Sequence, residues 1–157
     1  MPSPRHSGRR LAALLALSCS AGHAAPVQPG QVWTLSATTA DGETFRTTLR
    51  LSAAPPTGTP ATYRADRGVL LLDTARRTLV ALDLLDARAG GLGLACVVAG
   101  PLDAPVLSGV LATGTLSELP ARLEAALALI GVARSPADRD AARRELRLGT
   151  CTLTRGP

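Results

Sequence analysis

Val32-Trp33-Thr34-Leu35-Ser36-Ala37-Thr38-Thr39, followed after a four-residue gap by Thr44-Phe45-Arg46-Thr47-Thr48-Leu49-Arg50-Leu51-Ser52, decides the fold class of this chain. In the first stretch Trp33, Leu35 and Ala37 alternate with Val32, Thr34, Ser36 and Thr38. In the second, Phe45, Thr47, Leu49 and Leu51 alternate with Thr44, Arg46, Thr48 and Arg50. A repeat of two is that of a strand with one buried face. The gap contains Ala40-Asp41-Gly42, and the loop length chosen there sets the register. A three-residue loop with Gly42 in the left-handed conformation pairs Trp33 with Leu49 and Ala37 with Phe45, which places both apolar faces on one side. A two-residue Asp41-Gly42 turn pairs Trp33 with Arg50 and splits them, because a slip of one residue reverses every side chain. The longer loop is therefore expected.

Downstream, Ala53–Pro60 holds three prolines, which cannot donate to a ladder, and reads as a loop. Short apolar runs follow at meander spacing: Ala61–Ala65, Val69–Asp73, Thr78–Leu85, Leu92–Ala99 and Val106–Thr113. Turn residues separate them, among them Asp66-Arg67-Gly68 and Ala89-Gly90-Gly91. The period then lengthens. Leu119, Leu123, Leu127 and Ile130 recur at helical spacing, with Ser117 as the expected cap, Pro120 in the first turn and Gly131 as the expected stop. Ser135-Pro136-Ala137-Asp138 starts a second helix. Its Asp138 can face the cap, and Asp140 and Arg144 form an opposite-charge pair one turn apart. Alternation returns from Arg147 to Thr154. The expected fold is mainly β, a meander barrel or sandwich of about eight strands with one or two C-terminal helices.

Upstream of this domain, the chain reads as an export signal. Arg5, Arg9 and Arg10 precede an unbroken Leu/Ala run from Leu11 to Leu17, and small residues lead to Ala24-Ala25. That succession suits a signal peptidase, with cleavage between Ala24 and Ala25. Residues 1–24 are then the signal peptide and 25–157 a single β-rich domain. The apolar run falls far short of the ~20 residues that cross a bilayer. A second route exists at Cys19, because Ala16-Leu17-Ser18-Cys19 resembles a lipobox and would end in lipidation of that cysteine. Either route places the mature protein outside the cytoplasm, whether periplasmic, secreted or lipid-anchored. Membrane contact is expected only through the signal or such an anchor.

The formal charge of +5 belongs largely to the leader. All seventeen basic residues are Arg, three lie in the signal, and the other fourteen face twelve acids, so the mature chain carries only +2. With one Trp, one Tyr and one Phe there is no stacking platform for bases, and nucleic-acid binding is not expected. The three cysteines are Cys19, Cys96 and Cys151. After processing, Cys96 and Cys151 remain in a compartment where disulfides persist, and both align with inward apolar neighbours. A Cys96–Cys151 bridge is expected.

Both histidines, His6 and His23, lie in the leader, and the chain has no Lys. The mature protein therefore lacks the base of a Ser-His-Asp or Cys-His site and the amine of a Ser-Lys dyad. Ser108 is not in a nucleophile elbow, Gly90-Gly91-Leu92-Gly93 is not a phosphate loop, and His/Cys zinc sites are excluded by count. No catalytic residue, cofactor or metal is expected. Asp83, Asp86 and Asp103 are the carboxylates that would have to serve a hydrolase.

Gly30-Gln31-Val32-Trp33 resembles the Gly-x-Trp opening of lipocalins, with one residue more between Gly and Trp. That resemblance implies an exported barrel for small apolar ligands, with a late disulfide and a helix before the last strand. Trp33 would then be either a ligand contact or a core residue closing one end. Pro29 to Leu35 also resembles the Pro-Gly-Gln-x-Trp-x-Leu start of small, uncharacterised exported or lipoprotein-like proteins of GC-rich bacteria. The expected function is a non-catalytic envelope module for a small apolar ligand or a protein partner. The alternatives are a carboxylate-only hydrolase and a purely structural envelope protein.

Overall fold

The computed structural model describes residues 26–86 and 91–156. The expected leader, with Cys19 and the Ala24–Ala25 junction, lies outside them. Eight antiparallel strands form one curled half-barrel sheet: β1 (Val32–Thr38), β2 (Thr44–Arg50), β3 (Ala61–Arg64), β4 (Gly68–Asp73), β5 (Thr78–Asp86), β6 (Leu92–Ala99), β7 (Val106–Thr115) and β8 (Gly149–Arg155). Helices α1 (Leu119–Val132) and α2 (Pro136–Glu145) lie between β7 and β8.

The opening hairpin has the expected register, with Trp33 opposite Leu49 and Ala37 opposite Phe45. Its loop closes between Thr39 and Glu43, where the Thr39 N–H donates to the Glu43 carbonyl at 2.8 Å. Gly42 has φ +90°, the left-handed region that a residue with a Cβ enters at a cost.

The sheet order is β2-β1-β8-β7-β6-β5-β4-β3, which is the chain order bent into a ring, with β1 joined to β8. The remaining seam, between β2 and β3, is held at one end only. There Leu51 bridges Ala65, the Ser52 N–H donates to the Arg64 carbonyl at 2.8 Å, and the Asp66 N–H donates to the Arg50 carbonyl at 3.1 Å.

The inner face carries the larger core, including Trp33, Leu35, Leu49, Leu70, Leu79 and Leu94. Closer to the N-terminus, Val27 is buried, and its carbonyl accepts a hydrogen bond from the Tyr63 hydroxyl at 3.2 Å. The outer face is divided by composition. Over β5, β6 and β7, Val80, Ala95, Val97, Val110 and Ala112 form a second apolar cluster under Leu119, Ala126 and Leu129 of α1. Over β1 and β8, the outward rungs pair Thr34 with Thr154, Ser36 with Thr152, and Thr38 with Thr150. A helix gains burial energy only over the apolar part, so α1 sits there.

Cys96 and Cys151 are bonded, with their Cα atoms 5.9 Å apart. The final strand does not lie beside β6, as a bridge between neighbouring strands would have it: β7 runs between them. The sheet folds sharply there. The β6–β7 ladder stops at Val97–Val110, while the β7–β8 ladder continues to Val106. A Cβ on Gly109 would stand 2.2 Å from the Val97 carbonyl oxygen. Only glycine lets β6 come over β7 closely enough for its cysteine to reach β8.

Three helix-end expectations are corrected. Glu118, not Ser117, occupies the cap position of α1 and makes no side-chain cap bond there; its carboxylate accepts from the Thr115 N–H at 3.1 Å instead. Helix α1 runs one residue past Gly131 to Val132. In α2 the Ser135 hydroxyl accepts from the Asp138 N–H at 3.1 Å, as expected, but Asp140 pairs with Arg143, at 3.5 Å, whose guanidinium is also held by the Leu148 carbonyl at 3.2 Å.

Candidate functional site

Trp33 is a core residue. Its side chain is fully buried on the inner face of β1, and the indole N–H finds no acceptor among the described residues. Opposite it on β8 stands Arg155, whose guanidinium carbon lies 5.2 Å from the ring centroid. Arg155 also donates to the carbonyls of Pro26 and Leu102, so one side chain ties the segment before β1, the β6–β7 loop and the last strand over the indole. The interior is filled around this point. Trp33, Leu49, Leu70, Leu79 and Leu94 each have 0 % exposure. None of them lines the hollows described below.

The candidate carboxylates are not brought together. Asp83 is completely buried on the inner face of β5, opposite Leu94 on β6 and Gly68 on β4. Neither carboxylate oxygen has a hydrogen bond among the described residues, and the nearest cation is Arg67, with Nε at 3.5 Å. Asp103 is exposed in the β6–β7 loop, which leaves from the opposite end of the barrel. Five residues of strand, roughly 17 Å, separate Asp83 from that end. The side chain of Asp86 lies outside the described residues. No group of three or more Cys, His, Asp or Glu suited to a metal occurs among the described residues.

The hollows lie on the outside. At the Trp33 end, one of about 500 Å³ is bordered by Pro26, Arg77, Leu102, Asp103 and Arg155. A smaller one, of about 160 Å³, lies beside Glu118, Arg122 and Arg147. Glu118 is held below its ordinary carboxylate range, first by the Thr115 N–H, then by the Thr115 hydroxyl at 2.9 Å, and then by the Arg122 charge; partial desolvation opposes them.

A groove of about 700 Å³ runs between α2 and the hydroxyl-bearing outer face of β1, β2 and β8. Ser36, Thr38, Thr150 and Thr152 line it from the sheet, Ser108 from β7, and Arg46 and Arg139 from β2 and α2. It forms because α2 buries none of its residues and so does not press down on the strands. Asp140 also borders the groove, with Arg143 beside it. Arg46 and Arg139 make no side-chain hydrogen bond or ion pair among the described residues.

Sequence reasoning did not single out this groove. Its floor was visible as the hydroxyl side of two alternating strands. What was missing is that β1 and β8, more than a hundred residues apart, are neighbours.

The disulfide fits a protein of a non-cytoplasmic compartment. No helix among the described residues is long and apolar enough to cross a membrane. Set against known proteins, the chain matches no family, no curated protein and no solved structure.

Proposed function

We propose that this protein is an exported, non-catalytic binding module of the cell envelope that takes its ligand or partner on the outer surface of the barrel. One observation carries the reading: the interior, where a small apolar ligand would sit, is occupied by the protein's own Trp33 and leucines, while the largest of the described hollows lies outside. Fully buried side chains at close packing leave no room for a guest without displacing them. The separation of Asp83 from Asp103 weighs against a hydrolase built from that pair. Hydrolysis at a sugar bond needs two carboxylates within about 10 Å.

Export rests on the leader, and the Cys96–Cys151 bond supports it. Intact-mass analysis of the native protein is expected to give a chain beginning at Ala25; a diacylglyceryl mass on Cys19 would select the lipid-anchored form, and a retained Met1 would end the export reading. The surface reading is tested with an environment-sensitive fatty acid such as cis-parinaric acid. No saturable binding and no energy transfer from Trp33 are expected. Stoichiometric binding that shifts the inward residues Leu35, Leu70 and Leu94 in amide mapping would place the ligand inside and overturn it.

A further inference from the structure

We infer that the groove between α2 and the outer face of β1, β2 and β8 is a binding site for a phosphorylated sugar, an assignment that rests on the outer-surface reading above. Two exposed guanidiniums, Arg46 on β2 and Arg139 on α2, border one hollow, and neither has an anionic or hydrogen-bonding partner among the described residues. The other groove charge, Asp140, is already met by Arg143 at 3.5 Å. The groove border therefore carries net positive charge from two planar donors, each of a type that pairs with an oxoanion.

The floor identifies what the anion is attached to. Ser36, Thr38, Thr150 and Thr152 place four hydroxyls on adjacent strands, with Ser36 opposite Thr152 and Thr38 opposite Thr150. Each hydroxyl both donates and accepts, which matches the hydroxyls of a sugar ring. A nucleobase needs a stacking face, and the groove's one aromatic neighbour, Phe45, is on the inward-facing side of β2 and packs against the inner core. The lining also carries apolar surface from Ala37, Phe45, Pro136 and Cys151, on which the C–H face of a sugar ring can rest beside the hydroxyls. At about 700 Å³ the groove is much larger than a phosphate ion alone and accommodates a phosphosugar.

The test uses the processed, disulfide-bonded protein with three probes: glucose 6-phosphate, inorganic phosphate and glucose. Calorimetry is expected to show glucose 6-phosphate binding at least tenfold tighter than either of the others. Arg46→Ala and Arg139→Ala should each weaken it about tenfold, the loss of one charge-assisted hydrogen bond. Both residues are exposed, so the variants should fold normally, and Arg76→Ala, on a distant turn, should bind unchanged. Amide shift mapping with the same probe should move resonances of β1, β8 and α2.

Equal affinity for inorganic phosphate and the phosphosugar would overturn the sugar assignment. Absence of binding, or binding indifferent to both arginines, would overturn the site. Shifts confined to the hollow beside Arg77 and Arg155 would refute this groove yet leave the outer-surface reading standing, whereas shifts centred on Leu35 and Leu94 would remove both.

Discussion

Arg155 on the last strand lies over Trp33 on the first, 5.2 Å from its ring centroid, and the two are directly opposed in the β1–β8 ladder that closes the ring. The contact joins a half-buried cation to a buried aromatic ring, and the same guanidinium binds the carbonyls of Pro26 and Leu102. Arg155→Ala is expected to lower stability by about 2–3 kcal/mol. Arg155→Lys should recover only part of this, since an ammonium lacks the planar guanidinium face that lies over the indole. Trp33 is the sole tryptophan, so its emission reports the transition directly in urea titrations. An unchanged midpoint for Arg155→Ala would show that the contact contributes nothing.

The Cys96–Cys151 bond closes a loop with a sequence separation of 55. In the chain-entropy account this is worth about 4 kcal/mol. The Cys96→Ala/Cys151→Ala double variant should lose up to that amount in denaturant unfolding, and non-reducing peptide mapping of native protein should recover both cysteines in one linked pair. Free thiol at both positions would contradict the structure.

The bond depends on the fold at Gly109. Gly109→Ala sets a Cβ 2.2 Å from a backbone oxygen, which no rotamer change relieves, so a loss of about 3 kcal/mol or more is expected. Gly131→Ala meets nothing within 4 Å in helix α1, and should instead stabilise by roughly 0.5–1 kcal/mol. Thermal unfolding of the two variants would compare them directly, and a neutral Gly109→Ala would disprove the close approach of β6 to β7.

Asp83 is buried with Arg67 as its nearest cation among the described residues, and Arg67 itself is 48 % exposed. Removing the cation strands a carboxylate among leucines, so Arg67→Ala should cost about 2–3 kcal/mol, less than a fully buried pair because solvent reaches the guanidinium. Replacing Asp83 by Leu, which continues the inward row of Leu79, Ala81 and Leu85, should leave stability equal or higher and abolish the effect of Arg67→Ala. A double-mutant cycle in urea measures this coupling. Additive losses would show that the two side chains do not interact.

Glu118 has its folded pKa lowered from 4.5, mainly by the Thr115 N–H and hydroxyl. The sign follows: a depressed carboxylate stabilises the fold above its unfolded pKa, and that contribution fades as pH falls through the lower folded value. The Glu118 side-chain resonance should therefore titrate below 4.5, and Thr115→Val, which removes the hydroxyl but keeps the N–H, should raise its midpoint only in part. A midpoint at or above 4.5 would contradict the hydrogen-bonded geometry.

Local chemistry, readable from the sequence by itself, determined the strands, the opening register and the two helices. Alternation of period two marked β1 and β2, and Gly42 chose the loop length that puts Trp33 opposite Leu49. The pairing of Cys96 with Cys151 also followed, from count, compartment and inward parity. Helix details were less legible: Ser117 and Glu118 adjoin at the start of α1, Asp140 has Arg143 and Arg144 both within reach, and only packing decides between them. The ring order, the crossing of β7 by the disulfide, the stacking of Arg155 on Trp33 and the meeting of Asp83 with Arg67 were set by tertiary structure alone. So was the groove, whose hydroxyl floor is written in two stretches that become one surface only when β8 closes on β1. The physical reason is common to all of these: alternation fixes which face a residue takes, but how far a sheet curls, and hence which distant residues share that face, depends on the pairing of all its strands.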